Sequence, residues 1–525
     1  MFLDWSRCAA LMATTVLSSS LLVGCSDDSG GSAGSPAERA GTDGNSADHG
    51  PTGHGSGAEG SESAPSASDE YCEDWPQPAV VFAVTGQMHG YLEPCGCSDP
   101  QYGGVSRRAA LLQQLRERDW DPIPLDLGGT LKRSRQQSQF KFQTLLTALR
   151  DMKYQALAMG EEELRLGGGW LLSQHVTDPD DPAGILGFVS ANVVLFDSPD
   201  IGTPIPFKVV ESGGRRVGIT SVIDPAIAKQ IGGLSDAGIS VTDPDEALAT
   251  VKKTLQAEDV DLLVLLSHCR LETSKRLAQQ HPEFQIVFST GPVEEPYADN
   301  PVQVGNSTLM VVGHKGKHVG VAGWYPDSTD NPVRFEMVKL DGERFKDPPE
   351  MLDLMRFYQD MLKDSNLAET EPALPHRTGH TFVGSETCGE CHTKAFAKWK
   401  ETGHGHAFES LRTGRRGIPR IYDPECIACH VTGWHPQEIY RYESGYLNEV
   451  ATKHLLNVGC ENCHGPGSQH IKLINEGDED AARKLMRVTK EQARDSGCYK
   501  CHDLDNSPHF DFDSYWEQIV HPGMD

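Results

Sequence analysis

Basic residues are scarce in this chain. There are 47 Lys and Arg against 75 Asp and Glu in 525 residues, a formal net charge of −28. That balance argues against nucleic acid as a partner and against direct docking on an anionic membrane, and it favours small cationic redox partners. Long apolar runs are also missing near the N-terminus, where the stretch from Cys8 to Gly24 is too short and too rich in Ser and Thr to span a bilayer well. Residues 26–70 have few large apolar groups and are built of Gly, Ser, Ala, Asp and Glu. Such a segment cannot bury enough surface to offset its ordering entropy, so it reads as a flexible tether. His49 and His54 lie in it and read as solvated spacers.

What the chain does have is one five-residue pattern four times over. It reads Cys388-Gly-Glu-Cys391-His392, Cys426-Ile-Ala-Cys429-His430, Cys460-Glu-Asn-Cys463-His464 and Cys498-Tyr-Lys-Cys501-His502. C-x-x-C-H is the attachment pattern for c-type haem: the two thiols bond to the porphyrin and the adjacent imidazole binds the iron. Zinc ribbons also use C-x-x-C pairs, but they do not need a His after every second Cys. Four covalently bound haems are therefore expected, with His392, His430, His464 and His502 as proximal ligands. Haem also implies an electron carrier or a redox enzyme.

The N-terminal residues read as a processing segment, not as fold. The run closes on Leu22-Val23-Gly24-Cys25, which resembles the lipobox of bacterial lipoproteins. The resemblance implies a signal peptide over 1–24, acylation of Cys25 and a lipid-attached tether over 25–70. With Ser26 after the Cys, it also implies an outer-membrane address. An ordinary secretory signal is the other reading. Both give an exported protein, periplasmic or on the outer-membrane face, held to the membrane through the lipid where there is one.

From Ala79 the pattern becomes globular. Val80–Val84 is a continuous apolar run, the mark of a strand buried on both faces. Ile123–Asp126, Val217–Thr220 and Leu262–Leu266 also read as strands, with helical spacing over Leu111–Arg116 and Phe140–Leu149. Alternating strand and helix predicts α/β layers. Thr85-Gly86-Gln87-Met88-His89-Gly90-Tyr91-Leu92-Glu93-Pro94 resembles the first motif of calcineurin-like metallophosphatases of the 5′-nucleotidase branch. Leu125–Gly129, Tyr154–Leu164, Ser190–Asn192 and Leu266-Ser267-His268 resemble later blocks in the family's order, so the resemblance runs over about 79–345. It implies a site in which two metals clamp a phosphoryl group and activate water. The ligands depart from it. Gln87 stands at the first Asp position, Gly129 at the bridging Asp, and Glu161 and Glu162 at the Asn and catalytic His. Ser289-Thr290-Gly291-Pro292 replaces a Gly-His-x-His stretch. His89 and His268 match the pattern. A degenerate domain over 71–345 is the expectation. A single metal on His89, His268, Glu161 or Glu162 is the alternative to a retired pocket.

Of the 14 cysteines, eight belong to the repeated pattern, Cys25 is the lipidation candidate and Cys8 precedes it. Cys72, Cys95, Cys97 and Cys269 remain. Cys95-Gly96-Cys97 follows the first motif directly, at the C-terminal end of a strand, where α/β folds place their chemistry. A bridge within C-x-C is strained and easily reduced. The pair reads as a redox dithiol or a metal site, and a bridge from one of them to Cys72 is the structural alternative.

Met351–Leu362 has helical periodicity and residues 365–380 read as a connector, so 346–380 joins the two parts. Residues 381–525 are expected to be mostly helical and loop-rich, with the porphyrins serving as apolar filling. Trp399-Lys-Glu-Thr402-Gly-His404 resembles the distal-ligand motif of the tetrahaem cytochrome c-554 family. His430-Val431-Thr432-Gly433 and His464-Gly465-Pro466-Gly467 also look like that family. The resemblance implies His404, His470 and His521 as sixth ligands. It leaves His406, His435, His454 and His509 as surface or supporting residues. The function expected is electron transfer with unidentified redox partner proteins. Two alternatives stay open: a metal-dependent phosphoesterase with appended haems, and a haem enzyme acting on small nitrogen oxides.

Overall fold

In the computed structural model, residues 71–94, 96–174, 187–296 and 299–521 are described. The expected signal peptide, Cys25, the expected tether and Cys95 lie outside the described residues. The predicted α/β layering is present as two sheets face to face. One has five strands in the order Val333–Lys339, His318–Trp324, Val80–Thr85, Pro122–Asp126 and Ala156–Leu157. The other has six, in the order Val302–Val304, Ser307–Val312, Ile286–Thr290, Leu262–His268, Arg215–Ile223 and Lys208–Ser212.

The period of two along each strand explains the layers. Val80, Phe82 and Val84 point inward and pack with Val217, Ile219, Val264, Leu266 and Phe288 of the facing sheet. Phe82 and Phe288 meet edge-on at 5.8 Å across that interface. Val81 and Ala83 point outward, against the apolar faces of helices Val105–Glu117, Gln136–Asp151 and Pro349–Ser365. The second sheet is covered on its outer side by Pro244–Ala257 and Leu271–Gln280. The helix predicted over Met351–Leu362 thus docks on the sheet domain, where Met355, Tyr358 and Leu362 are buried.

Parallel pairing of Val80–Thr85 with Pro122–Asp126, and of Leu262–His268 with both its neighbours, brings the C-terminal ends of these strands to one rim. His268 ends its strand at this rim, and the segments bearing Gln87, Gly129 and Glu162 leave from there.

Beyond residue 380 the chain is short helices and turns around a small core of Phe382, Phe408, Leu411, Ile427, Val431, Trp434, Tyr446 and Leu455. Helices Thr393–Glu401 and Ser468–Asn475 bury no residue in that core. Both regions belong to one compact unit from residue 67 onward. Among the described residues, no helix is long and apolar enough to cross a membrane.

Candidate functional site

Helical turns put the two cysteines of each C-x-x-C-H pattern on one face, since positions three apart are neighbours. The second and third patterns lie on helices Pro424–His430 and Cys460–His464. In the first and fourth, the backbone N–H of His392 and of His502 donates to the carbonyl of Cys388 and of Cys498, at 2.9 Å in both cases. Glu461, inside the third pattern, is buried, and its carboxylate accepts from the N–H groups of Val383, Gly384 and Gly467 at 2.7–3.1 Å. It ties the chain entering the first pattern to the chain leaving the third. The thiol of Cys388 lies against that of Cys460, and Cys429 against Cys501. The four patterns are therefore grouped first with third and second with fourth.

Each of the three expected sixth ligands faces the imidazole of one pattern. His392 and His470 have ring centroids 6.1 Å apart, His502 and His404 6.0 Å, and His464 and His521 6.0 Å. Most of these rings are held at Nδ1. His464 bonds the carbonyl of Met486 at 2.6 Å, His470 that of Ala482 at 3.0 Å and His521 that of Ile519 at 2.9 Å. His502 bonds the Ser507 hydroxyl at 2.9 Å. Such bonds fix the tautomer and leave Nε2 for a metal. Burial lowers the pKa of His404, His464 and His502, which keeps them in the neutral form that ligates.

His430 differs. Its Nδ1 is held by the Ala407 carbonyl at 2.6 Å, but among the described residues no imidazole faces it. His406 turns its Nε2 to the Lys400 carbonyl at 2.8 Å, and His435 accepts the Glu438 N–H at 3.1 Å.

At the rim of the sheets, Gln87 and His89 both adopt left-handed backbone, φ 47° and 49°. The Gln87 side chain accepts the Gly291 N–H at 3.0 Å. His89 Nδ1 is 3.7 Å from the Glu162 carboxylate. Burial opposes ionisation of Glu162, but His89 holds its pKa below the usual carboxylate value. His268 Nδ1 bonds the Leu127 carbonyl at 2.7 Å. Glu161 turns away to pair with Arg165. Glu163 is buried and accepts from Gly129 N–H at 3.0 Å, Thr130 N–H at 2.7 Å, Gly160 N–H at 2.8 Å and the Thr130 hydroxyl. One carboxylate thus joins the two loops.

The sequence reading missed His314, which reaches in from the loop after Ser307–Val312. Its Nε2 meets the Gly291 carbonyl at 2.6 Å and its ring lies 5.4 Å from that of His89. Among the described residues, no group of three or more His, Cys, Asp or Glu is arranged to hold a metal ion.

The helical region packs on this rim. Asp505 receives Lys315, Lys317 at 3.0 Å and the Tyr91 hydroxyl at 3.1 Å. Arg420 pairs with Glu93 at 2.6 Å and Lys141 with Glu425 at 2.5 Å. Buried Asp423 accepts from Gln137 at 2.7 Å and Gln359 at 2.9 Å. Arg415 donates to the carbonyls of Pro94, at 3.0 Å, and Gly96.

Residues 387–465 match the family described as cytochrome c554 and c-prime. The C-terminal region is similar to cytochrome c554, a likeness that implies c-type haem. The preceding α/β region is similar to 5′-nucleotidases. Cytochrome c-554 of Nitrosomonas europaea is 28% identical over 147 residues, 24% of this chain and 60% of that protein. Snake venom 5′-nucleotidase of Crotalus adamanteus is 26% identical over 235 residues, 43% of this chain and 38% of that protein. The 5′-nucleotidase precursor of Thermus thermophilus superposes with a TM-score of 0.44 at 21% identity, over 56% of this chain and 60% of its own. The chain spans less than two thirds of each.

Proposed function

We propose that this protein is an exported tetrahaem electron carrier, anchored by lipid at Cys25, whose phosphoesterase-type domain has lost the two-metal site and serves as the seat of the haem region. The observation that carries the reading is the set of three facing imidazole pairs. Two metal–imidazole bonds of about 2 Å, the length known for zinc, together with the ring radii, account for a centroid separation near 6 Å. The residues therefore fit haem. Cys388 and Cys391 would hold one together with the imidazoles of His392 and His470. Cys460 and Cys463 would hold another with His464 and His521, and Cys498 and Cys501 a third with His502 and His404. Cys426 and Cys429 would hold the fourth on His430 alone. When bound, haem supplies a one-electron couple. The chain orients His430, His464, His470, His502 and His521 through Nδ1, keeps His404, His430, His464 and His502 neutral by burial, and groups the four attachment sites in two pairs.

Gln87, Gly129, Glu161 and Glu162 in place of the expected ligands support loss of hydrolysis, as does the engagement of Gln87 with Gly291. The lone His430 supports a second reading, in which one iron takes a small molecule. Pyridine haemochrome analysis of the purified protein, with carbon monoxide added to the reduced form, tests both. Four haems per chain are expected, one of them binding carbon monoxide. A ratio near two or below refutes the tetrahaem reading. Carbon monoxide on none of the haems refutes the open site.

A further inference from the structure

The sheet domain grips the haem region at two places. At one, the loop Gly90–Ser98 meets the segment after the fourth pattern, where the Cys97 Sγ–H donates to the Asn506 side-chain carbonyl at 3.2 Å. Cys72 and Cys97 are both unbridged, and Cys95 lies outside the described residues. At the other, it reaches the helix Pro424–His430, which carries both cysteines and the imidazole of the second pattern. That helix starts on Asp423, whose carboxylate accepts the Glu425 N–H at 3.1 Å as an N-terminal cap. The same carboxylate is buried and takes two further donors from the sheet domain. Gln137, in the first turn of Gln136–Asp151, donates to it at 2.7 Å, and Gln359 of Pro349–Ser365 at 2.9 Å. Gln137 is itself braced by the Tyr358 hydroxyl at 3.0 Å. One turn further along its helix, Lys141 pairs with Glu425 at 2.5 Å and donates to the Gly90 carbonyl at 2.8 Å. A buried carboxylate is stable only while its oxygens are hydrogen-bonded, so the cap of this helix depends on glutamines that lie outside the haem region.

The other three patterns are held differently. Their helical turns follow Gly384, Gly459 and Gly497, which have no side chain to cap with. Their imidazoles instead face His470, His521 and His404. A group held between two imidazoles ties its attachment turn to a second segment of chain. His430 has no facing imidazole among the described residues, and so no such tie. We propose that Gln137, Lys141 and Gln359 are positioning residues for the haem site of Cys426, Cys429 and His430, and that the sheet domain supplies there the hold that a second imidazole gives the other three. This rests on the electron-carrier reading above and on the open site within it. The consequence is local: removing these side chains frees the helix that carries His430 and leaves the paired imidazoles in place.

The test uses the full-length haem-loaded protein. The double variant Gln137→Leu, Gln359→Leu is compared with the wild type by pyridine haemochrome, by the carbon monoxide affinity of the reduced protein and by hydrogen exchange. The affinity is expected to shift by at least about threefold, less than the roughly 10–100-fold typical when a partner bonded directly to a metal ligand is removed. Exchange should rise in residues 424–430 and keep the wild-type rate in 460–464. Loss of the haem from the peptide of Cys426 and Cys429 alone supports the proposal equally. Lys141→Met should act in the same direction and serves where the double variant does not fold, and Lys141→Arg should restore the wild-type values. Lys317→Met, which loosens the junction at Asp505, is the control and should leave 424–430 unchanged. Wild-type affinity and exchange in the variants, or equal changes in Lys317→Met, overturn the proposal and leave the carrier reading intact. Carbon monoxide bound by no haem of the wild type refutes the open site, and exchange over 424–430 then decides the proposal alone.

Discussion

Replacing Gly96 by Ala adds a single methyl group at the tightest point between the two regions. That carbon would lie 1.8 Å from the Asp505 carbonyl oxygen and 2.9 Å from its carbon. Ordinary carbon contacts sit near 3.5–4 Å, so the loop or the Asp505 segment must retreat by roughly 1.5 Å or more. A left-handed φ costs a non-glycine residue about 1–2 kcal/mol, and overpacking about 1–3 kcal/mol more. Retreat also endangers the two bonds from Arg415 to the carbonyls of Pro94 and Gly96, each worth about 1.5–3 kcal/mol as hydrogen bonds to a charged group. A loss of about 2–5 kcal/mol is expected, a large fraction of the roughly 5–15 kcal/mol that holds a typical domain folded. Hydrogen exchange on the haem-loaded protein is the assay. Exchange should accelerate in residues 90–98 and 503–507, with strand Leu262–His268 unchanged. Gly103→Ala is the control. It has φ +87° and its Cβ would meet the Gly316 carbonyl at 2.6 Å, within the sheet domain. It should destabilise that domain but leave 503–507 protected. Wild-type exchange in both segments of Gly96→Ala, together with an unchanged urea midpoint, would refute the argument.

The rim of the sheets gives a second prediction. The protein supplied with divalent metals should turn over 5′-nucleotides far below the ordinary enzymatic range of about 1–1000 per second. Turnover within that range, abolished by His268→Ala, would show that a metal site survives. The third concerns acid stability. His318 is buried with Nδ1 unpartnered, and burial, then Lys339 and Lys317, push its pKa down to about 4 from 6.5. Between those values the unfolded chain binds a proton that the folded chain does not. Stability from this group is therefore complete above about pH 6.5 and falls as pH drops toward 4, by up to about 3 kcal/mol. Urea unfolding at both ends of the window should show His318→Leu losing less than the wild type. Equal losses would mean another group sets the acid limb.

The local features were legible in the sequence. The C-x-x-C-H patterns and the apolar strand Val80–Thr85 need only neighbouring residues to define them, and the run Leu262–His268 likewise. His404, His470 and His521 were singled out in the sequence, but not which imidazole each would face. His404 faces His502 across about a hundred residues of chain, an order that follows from folding around the patterns and not from spacing. His314 was missed because the family pattern directed attention to Ser289–Pro292, while the fold brings a histidine from one strand further on. Its signal was Gly313-His314 at the end of the apolar run Ser307–Val312. The seating of the two regions was not legible at all. Arg415 seeks carbonyl oxygens more than 300 positions away, and a carbonyl carries no mark in the sequence.

That last kind of contact bears on how the pair of domains can change over time. Arg415 to Pro94 and Gly96, Arg133 to Gln437 and Arg135 to Ile439 all end on main-chain oxygens. A junction recognised through the backbone places few demands on the side chains of the loops it grips. Residues around it can drift freely while the path of the chain is kept. The exception is the position where two backbones nearly touch. In a set of descendants of this chain, the loops at the junction should vary in nearly every letter, with an arginine at one end and a glycine between two cysteines at the other held fixed.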